Sequence, residues 1–313
     1  MHRKKLMFDT LVIVGPGLIG GSLGMAVREK GLARRVVGVG RRRESLARAV
    51  ELGAVDETSL NLESAAAEAD LVVLATGVEL IAQQAAAVLP RMSRGALLTD
   101  VGSAKGTICR SIAQAFSATS AAERVRFVGG HPMAGSERRG VVSARADLFR
   151  GAVCILTPTP ITDPDGAALE IVRELWKAVG CHVHVMSPEA HDRLIAQISH
   201  LPHLAAACLV NAASDEALDL AASGFLDTTR VASSDPALWV GICLANREAL
   251  LAALASLGGR LSDFEQALES GDAKALEALL ARAKSRRDGK ADQQDTGKVD
   301  HQGTKDTEND SKS

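Results

Sequence analysis

The chain has 313 residues, room for two domains at about 150 residues each. Its 36 Lys and Arg against 38 Asp and Glu give a net charge of −2, which offers no electrostatic reason to expect nucleic acid or another polyanion as partner. No apolar run approaches the roughly 20 residues of a membrane span, and the five dispersed cysteines (Cys109, Cys154, Cys181, Cys208, Cys243), without CxxC spacing, read as reduced core thiols of a cytoplasmic protein with no metal site.

Met1-His2-Arg3-Lys4-Lys5 is basic, but the apolar run behind it is interrupted by Asp9 and leads straight into a glycine motif, the pattern of a first strand rather than a signal peptide. Leu11–Val14 is that strand. Gly15-Pro16-Gly17-Leu18-Ile19-Gly20 follows and opens a helix-compatible stretch, which is the context a dinucleotide cradle requires. Gly15 permits the tight turn, Gly17 lets the backbone approach a pyrophosphate, and Gly20 allows the helix to pack on the strand. Leu18 and Ile19 stand at the helix N-terminus, whose amides and dipole favour an anion.

The second strand, Val36–Val39, ends in Gly40 followed by Arg41-Arg42-Arg43. The acidic residue that would hold a ribose 2′-hydroxyl is missing there, and arginines such as Arg41 and Arg42 pair with a 2′-phosphate. NADP is therefore favoured over NAD, the plainer reading being a solvated basic helix start that tolerates either. Further strands are expected at 71–75, 96–99, 125–128, 153–156 and 182–186, alternating with alanine-rich helices. That alternation predicts a largely parallel sheet with helices on both faces. The total absence of tyrosine excludes a Tyr-x-x-x-Lys proton-transfer pair.

Thr99-Asp100-Val101-Gly102-Ser103-Ala104-Lys105 ends one strand and begins a helix. Ser103 is either the helix cap or a hydroxyl aimed at the crevice beside a bound nicotinamide. Val125–Gly130 reads as a strand ending in two glycines, which puts His131 on the turn His131-Pro132-Met133-Ala134-Gly135, at the strand end where open α/β sheets bind ligands. A satisfied structural imidazole is the competing reading. Glu137, just beyond, suits either an arginine or amine partner or a helix start.

From Pro188 the pattern becomes long Ala- and Leu-rich helices with extensive apolar faces, which predicts pairing with a second copy of the chain. In Ser199-His200-Leu201-Pro202-His203, Ser199 and His203 share a helix face, His200 is turned about 100° away, and Pro202 predicts a kink. Asp227–Pro236 reads as a polar loop with Ser234 or Asp235 capping the next helix, and Arg230 has the planar fork of a carboxylate receptor. The stretch from about Ser285 to Ser313 is charged, nearly free of apolar residues, and expected to be disordered, leaving no room for an appended regulatory domain.

Together these segments resemble the prephenate/arogenate dehydrogenase family of tyrosine biosynthesis. The resemblance runs to about residue 285 and rests on GPGLIGGSLG (15–24), DVGSAKG (100–106), HPMAGSE (131–137), SHLPH (199–203) and TTRVASSDPALW (228–239), in that order. It implies an α/β Rossmann-type dinucleotide-binding domain (8–187) followed by an all-α dimerisation domain (188–285), the charged tail (286–313) lying beyond the resemblance. It also implies a small-molecule substrate, prephenate or arogenate, oxidatively decarboxylated with NADP or NAD as hydride acceptor. His131 corresponds to the family's catalytic imidazole and Ser103 to a hydroxyl orienting it. Ser199 and His203 correspond to polar groups at the substrate, Arg230 to the side-chain carboxylate receptor, and Asp227 and Trp239 to its supports. A β-hydroxyacid dehydrogenase would present a lysine where this chain has histidines, and a non-catalytic dinucleotide sensor would need no proton acceptor.

Overall fold

A computed structural model describes residues 6–119, 124–135 and 138–299, the side chains of 290–299 excepted. The basic stretch at residues 1–5 and Glu137 lie outside the described residues. The sheet elements in chain order are β1 (Phe8–Val14), β2 (Ala33–Val39), β3 (Glu57–Ser59), β4 (Leu71–Leu74), β5 (Leu97–Asp100), β6 (Arg126–Pro132), β7 (Val153–Thr157) and β8 (His182–Val185). They form one sheet in the order β3-β2-β1-β4-β5-β6-β7-β8, parallel throughout except for the antiparallel β6–β7 pair. The connecting helices are α1 (Leu18–Lys30), α2 (Arg43–Glu51), α3 (Leu62–Ala67), α4 (Val78–Val88), α5 (Gly106–Ser117) and α6 (Ala167–Ala178).

Period-two alternation explains why the strands read as unbroken apolar runs. In β1, Leu11 and Ile13 enter one core with Leu23, Val27 and Trp176, from α1 and α6. Val12 and Val14 enter the other with Ile81, Ile108 and Phe116, from α4 and α5. β4 divides in the same way, Leu71 and Val73 to the first core, Val72 and Leu74 to the second. Both faces are covered, as a parallel sheet requires. β3 escapes sequence reading because it is a three-residue polar edge strand, held in register with Val37–Val39 rather than by apolar burial.

β6 corrects the expectation at the central histidine. Gly129 and Gly130 do not end the strand; the strand continues through His131 and Pro132, which pair with Ile155 and Cys154 of β7. The glycines are there for close approach. A Cβ at Gly129 would stand 2.4 Å from the Thr157 hydroxyl, and one at Gly130 would stand 2.7 Å from the Asp100 carbonyl oxygen.

After β8 every described element is helical: α7 (Pro188–Ile195), a π turn (Ala196–His200), α8 (Leu201–Ala212), α9 (Asp215–Asp219), α10 (Ser223–Thr229), a 3₁₀ turn (Arg230–Ser233), α11 (Pro236–Ala245), α12 (Arg247–Glu269) and α13 (Ala273–Val299). The expected disturbance at Pro202 takes the form of the π turn just before it. Pro202 has no amide hydrogen for the Ile198 carbonyl, and a wider turn accommodates that loss. The chain up to Ala253 is one compact unit and that from Leu254 a second. Helices between 188 and 253 therefore belong with the sheet, as Ile242 of α11 in the second core illustrates.

Two expectations, the start of the disorder and the burial of all the cysteines, need amendment. α13 runs on to Val299, beyond the start of the expected disorder, because its Ala, Lys, Arg and Gln are competent helix formers even without an apolar face; residues 300–313 lie outside the described residues. The helical stretch Pro188–Ala212 is long and apolar enough by length and composition to cross a membrane, its apolarity coming from Ala and Leu spaced between polar groups. Of the five cysteines, all free, Cys109, Cys154 and Cys181 are buried, but Cys243 is half-buried and Cys208 exposed.

The tightest contact of α1 gives a test of this packing. A Cβ on Gly24 would lie 2.0 Å from the Ala54 carbonyl oxygen, a backbone atom. Gly24→Ala is expected to destabilise the protein by about 1–3 kcal/mol, read as a lower urea midpoint. An unchanged midpoint would show that α1 does not pack this closely.

Candidate active site

The carboxyl ends of β1, β4, β5 and β6 open onto one cleft of about 530 Å³. Leu18 and Ile19 line it from the start of α1, Ala75 to Gly77 from the turn after β4, Val101 to Ser103 from the turn after β5, and His131 from β6. Ser199, His203, Arg230, Ser234 and Trp239 close it from the helical side. Ligands of open α/β sheets bind at this edge.

At the first turn, Gly15 has φ +85°, a conformation only glycine adopts freely, and an added Cβ there would meet the Ala75 carbonyl oxygen at 2.7 Å. Gly20 is equally confined, 2.5 Å from the Gly15 carbonyl oxygen. Gly17 differs: a Cβ there would meet nothing within 4 Å, so protein packing does not demand a glycine. A glycine at the cap of α1, with no side chain covering the helix amides, suits a pyrophosphate resting on them. The cradle thus fits a dinucleotide. At the end of β2, Gly40 packs against Leu46, Arg42 occupies the cap position of α2, and both Arg41 and Arg42 are exposed.

The turn after β5 is held by a buried ion pair. Lys105 Nζ donates to Asp100 Oδ2 and, at 2.8 Å, to the Gly130 carbonyl. Asp100 also accepts from Gly102 N–H at 2.8 Å and Gly130 N–H at 3.2 Å. Both charges are wholly buried, so each depends on the other, and together they fix the turn beside His131. Ser103 is not the helix cap, since α5 starts at Gly106 with Lys105 at the cap position. It lines the cleft instead, as the alternative reading required.

His131 is 7% exposed. Burial, and then the neighbouring His191, Lys105 and His200, push its pKa well below the usual histidine value, so the imidazole is neutral at pH 7. Its Nδ1 lies 2.8 Å from His191 Nε2, so this imidazole, not the Ser103 hydroxyl, partners the inner nitrogen. His191 Nδ1 is in turn 2.8 Å from Asp192 Oδ1. Asp192 accepts from the backbone amides of Lys105 at 2.7 Å and Gly106 at 2.8 Å. Although burial opposes it, the bonds from His191 and these amides hold the carboxyl pKa below its usual value. Asn246 donates to the Asp192 carbonyl at 2.8 Å and lies 3.1 Å from His200 Nδ1. His191, Asp192 and Asn246 have no motif to mark them; their only sequence signal is a polar pair just inside a helix capped by Ser187.

On the helical side His203 stacks on Trp239, ring centroids 3.4 Å apart and planes 22° from parallel. Its Nε2 is 3.2 Å from the Ser234 hydroxyl, and the ring also bonds the Ser199 backbone. Arg230 lies in the 3₁₀ turn, close enough to oppose protonation of His203. The expected polar loop is largely helical: Asp227 ends up in α10, exposed and away from the cleft lining. Asp235 caps α11 through Ala237 N–H at 2.6 Å and Leu238 N–H at 3.2 Å, and pairs with Arg139 at the cleft rim.

A glycine cradle at the carboxyl edge of a parallel sheet, sharing one cleft with a neutral imidazole and an arginine, defines a dinucleotide-dependent oxidoreductase acting on a small carboxylate. Residues 23–185 match the family model described as prephenate dehydrogenase, nucleotide-binding domain, and residues 187–282 match prephenate dehydrogenase, dimerization domain. The chain belongs to the prephenate dehydrogenase family. It is 36% identical over 294 residues to the prephenate dehydrogenase of Bacillus subtilis (strain 168), covering 90% of this chain and 76% of that one. The crystal structure of prephenate dehydrogenase from A. aeolicus in complex with hydroxyphenyl propionate and NAD+ is similar at TM-score 0.80 and 31% identity, over 90% of this chain and 98% of the other. Synechocystis arogenate dehydrogenase matches at TM-score 0.75 and 32% identity, over 90% and 99%.

The histidine cluster sets how stability responds to acid. Burial pushes His200 from 6.5 down to about 4, and lowers His131 and His191 as well. The unfolded chain then binds protons that the folded chain refuses, so stability is complete above about pH 6.5 and falls as pH drops toward 4, by up to about 1.4 kcal/mol per pH unit for each such histidine. The urea midpoint is expected to be clearly lower at pH 5 than at pH 7.5. Equal midpoints would contradict burial of neutral imidazoles.

Proposed function

We propose that this protein oxidatively decarboxylates prephenate to 4-hydroxyphenylpyruvate with a nicotinamide dinucleotide as acceptor. The observation that carries this reading is the single cleft running from the α1 N-terminus past His131 to Arg230 and His203, in a chain of the prephenate dehydrogenase family. Residues 8–187 carry the cofactor; residues 188–285 complete the substrate site and carry the dimer contacts. A nicotinamide dinucleotide held by Gly15, Gly17, Leu18, Ile19 and Gly20 would supply the acceptor for the hydride of ring C4.

The chain's own groups do the rest. Arg230 holds the side-chain carboxylate as a planar fork, assisted by His203, Ser199 and the Trp239 ring that fixes His203. Ser103 orients the ring hydroxyl beside His131. The outer nitrogen of His131 takes the proton of the C4 hydroxyl as the hydride leaves. Loss of CO2 from C1 sends its electron pair through the ring to the C4 oxygen, which then recovers the proton. The overall reaction releases no net proton, so the imidazole only has to lend its lone pair. Aromatisation drives the step, and positioning with proton transfer is what the protein supplies.

The similarity to Synechocystis arogenate dehydrogenase favours a second substrate, arogenate, which bears an amine in place of the keto oxygen. NADP is the preferred acceptor in our reading, because Gly40 leaves no carboxylate to repel a 2′-phosphate and Arg41 and Arg42 lie exposed at the end of β2. Homodimerisation is supported by the dimerization-domain match and by exposed apolar side chains such as Leu209, Leu220, Leu226, Val240 and Leu244.

Purified protein mixed with each substrate and each cofactor, followed at the NAD(P)H absorbance, should respond best to prephenate with NADP. A higher kcat/KM with NAD would overturn the cofactor preference, and a rate with neither substrate would overturn the activity. His131→Asn is expected to lower kcat by about 10²–10⁴-fold, whereas Arg230→Ala should chiefly raise KM. A near-normal kcat in His131→Asn would remove the imidazole from the mechanism. Light scattering should give the mass of two chains; one-chain mass would contradict the dimer.

A further inference from the structure

Asp192, His191 and His131 form a buried chain in which every hydrogen can be assigned. Asp192 has both oxygens engaged as acceptors, from Lys105 N–H, Gly106 N–H and His191. As a carboxylate it has nothing to donate, so the proton between it and His191 belongs to His191 Nδ1. Burial holds His191 neutral, lowering its pKa although the hydrogen bond to Asp192 raises it. Its Nε2 therefore carries a lone pair, and the 2.8 Å contact to His131 Nδ1 requires His131 to be the donor. With Nδ1 protonated, the lone pair of neutral His131 is on Nε2, the nitrogen not engaged by His191. His191 and Asp192 do not line the cleft.

We propose that His191 and Asp192 are positioning residues for the reaction: anchored on the amide groups at the start of α5, they lock His131 in the Nδ1–H tautomer and so keep its Nε2 available as the proton acceptor. This rests on the reading of His131 as the acceptor. The anchoring is built from three elements. Lys105 at the cap of α5 and Gly106 at its first position supply the two amides, α7 supplies the carboxylate and the relaying imidazole, and Asn246, between α11 and α12, holds the Asp192 carbonyl. The charged and titratable groups around His131 are His191, Lys105 with its partner Asp100, and His200. None offers Nδ1 a competing acceptor within the described hydrogen bonds. If the Asp192–His191 pair is removed, Nδ1 loses its acceptor and the proton is free to move to Nε2, where it blocks the base.

The test combines tautomer and rate. In protein labelled with ¹⁵N-histidine, the ring resonances of wild-type His131 should report Nδ1–H with an unprotonated Nε2 at pH 7. His191→Leu should convert part or all of this signal to the Nε2–H form and lower kcat on the order of 10²-fold, the scale expected for a misplaced catalytic group, with KM within about threefold of wild type. His191→Gln, whose amide oxygen can accept the His131 N–H, should restore the tautomer and most of kcat. A wild-type His131 protonated on Nε2 overturns the proposal, and so does a folded His191→Leu enzyme with normal kcat. The tautomer reading on wild type needs no variant to fold. It also stands whatever the substrate proves to be, whereas failure of the activity assay with both substrates would fall on the proposed function alone.

Discussion

The carboxylate of Asp192 is the joint on which the site depends. It lies on the first helix after the sheet, yet its oxygens accept from the backbone amides that open α5, 86 and 87 positions earlier in the chain. Those amides are among the donors a helix cannot satisfy internally, and no side chain of the turn caps them. One carboxylate thereby closes the α5 terminus, fixes α7 against the sheet edge and supplies the acceptor for His191. A helix N-terminus favours a negative charge, consistent with the lowered carboxyl pKa.

A second constraint operates one turn away. The wholly buried Lys105–Asp100 pair ties the turn after β5 to the backbone of Gly130, next to the central histidine. Removing one member of such a pair costs about 3–5 kcal/mol, because it leaves the other charge buried and uncompensated. The glycines of β6 belong to the same arrangement. They let the strand pass within contact of Asp100 and Thr157, so that His131 emerges from an ordered strand rather than from a turn. Rigid placement of the imidazole is thus a property of backbone, ion pair and helix terminus together.

Much of this was legible in the sequence because it is local. The glycine cradle, the seven apolar strands, the change to helices at Pro188 and the Asp235-Pro236 cap all depend on residues a few positions apart, which pattern and capping chemistry describe well. His131, Ser103, Ser199, His203, Arg230 and Trp239, spread across the chain, do line one cleft, and motif order foretold that. What escaped was either weakly apolar or distant in sequence. β3 has no buried pattern to reveal it, and Asp227 was assigned by its motif neighbours, although a short helix turns it outward. The pairing of Asp192 with α5 and of His191 with His131 spans 60 residues or more, and nothing in a single sequence encodes that contact.

In the proposed mechanism His131 partners the ring hydroxyl and Arg230 the side-chain carboxylate, with the cofactor cradle at the far end of the same cleft. A crystal structure of the protein with NADP and a hydroxyphenyl carboxylate tests this most directly. The phenolic oxygen should lie within roughly 2.6–3.2 Å of His131 Nε2, with the carboxylate on Arg230 and the nicotinamide against the ring. A ligand bound in the opposite sense, with its carboxylate at His131, would contradict the account.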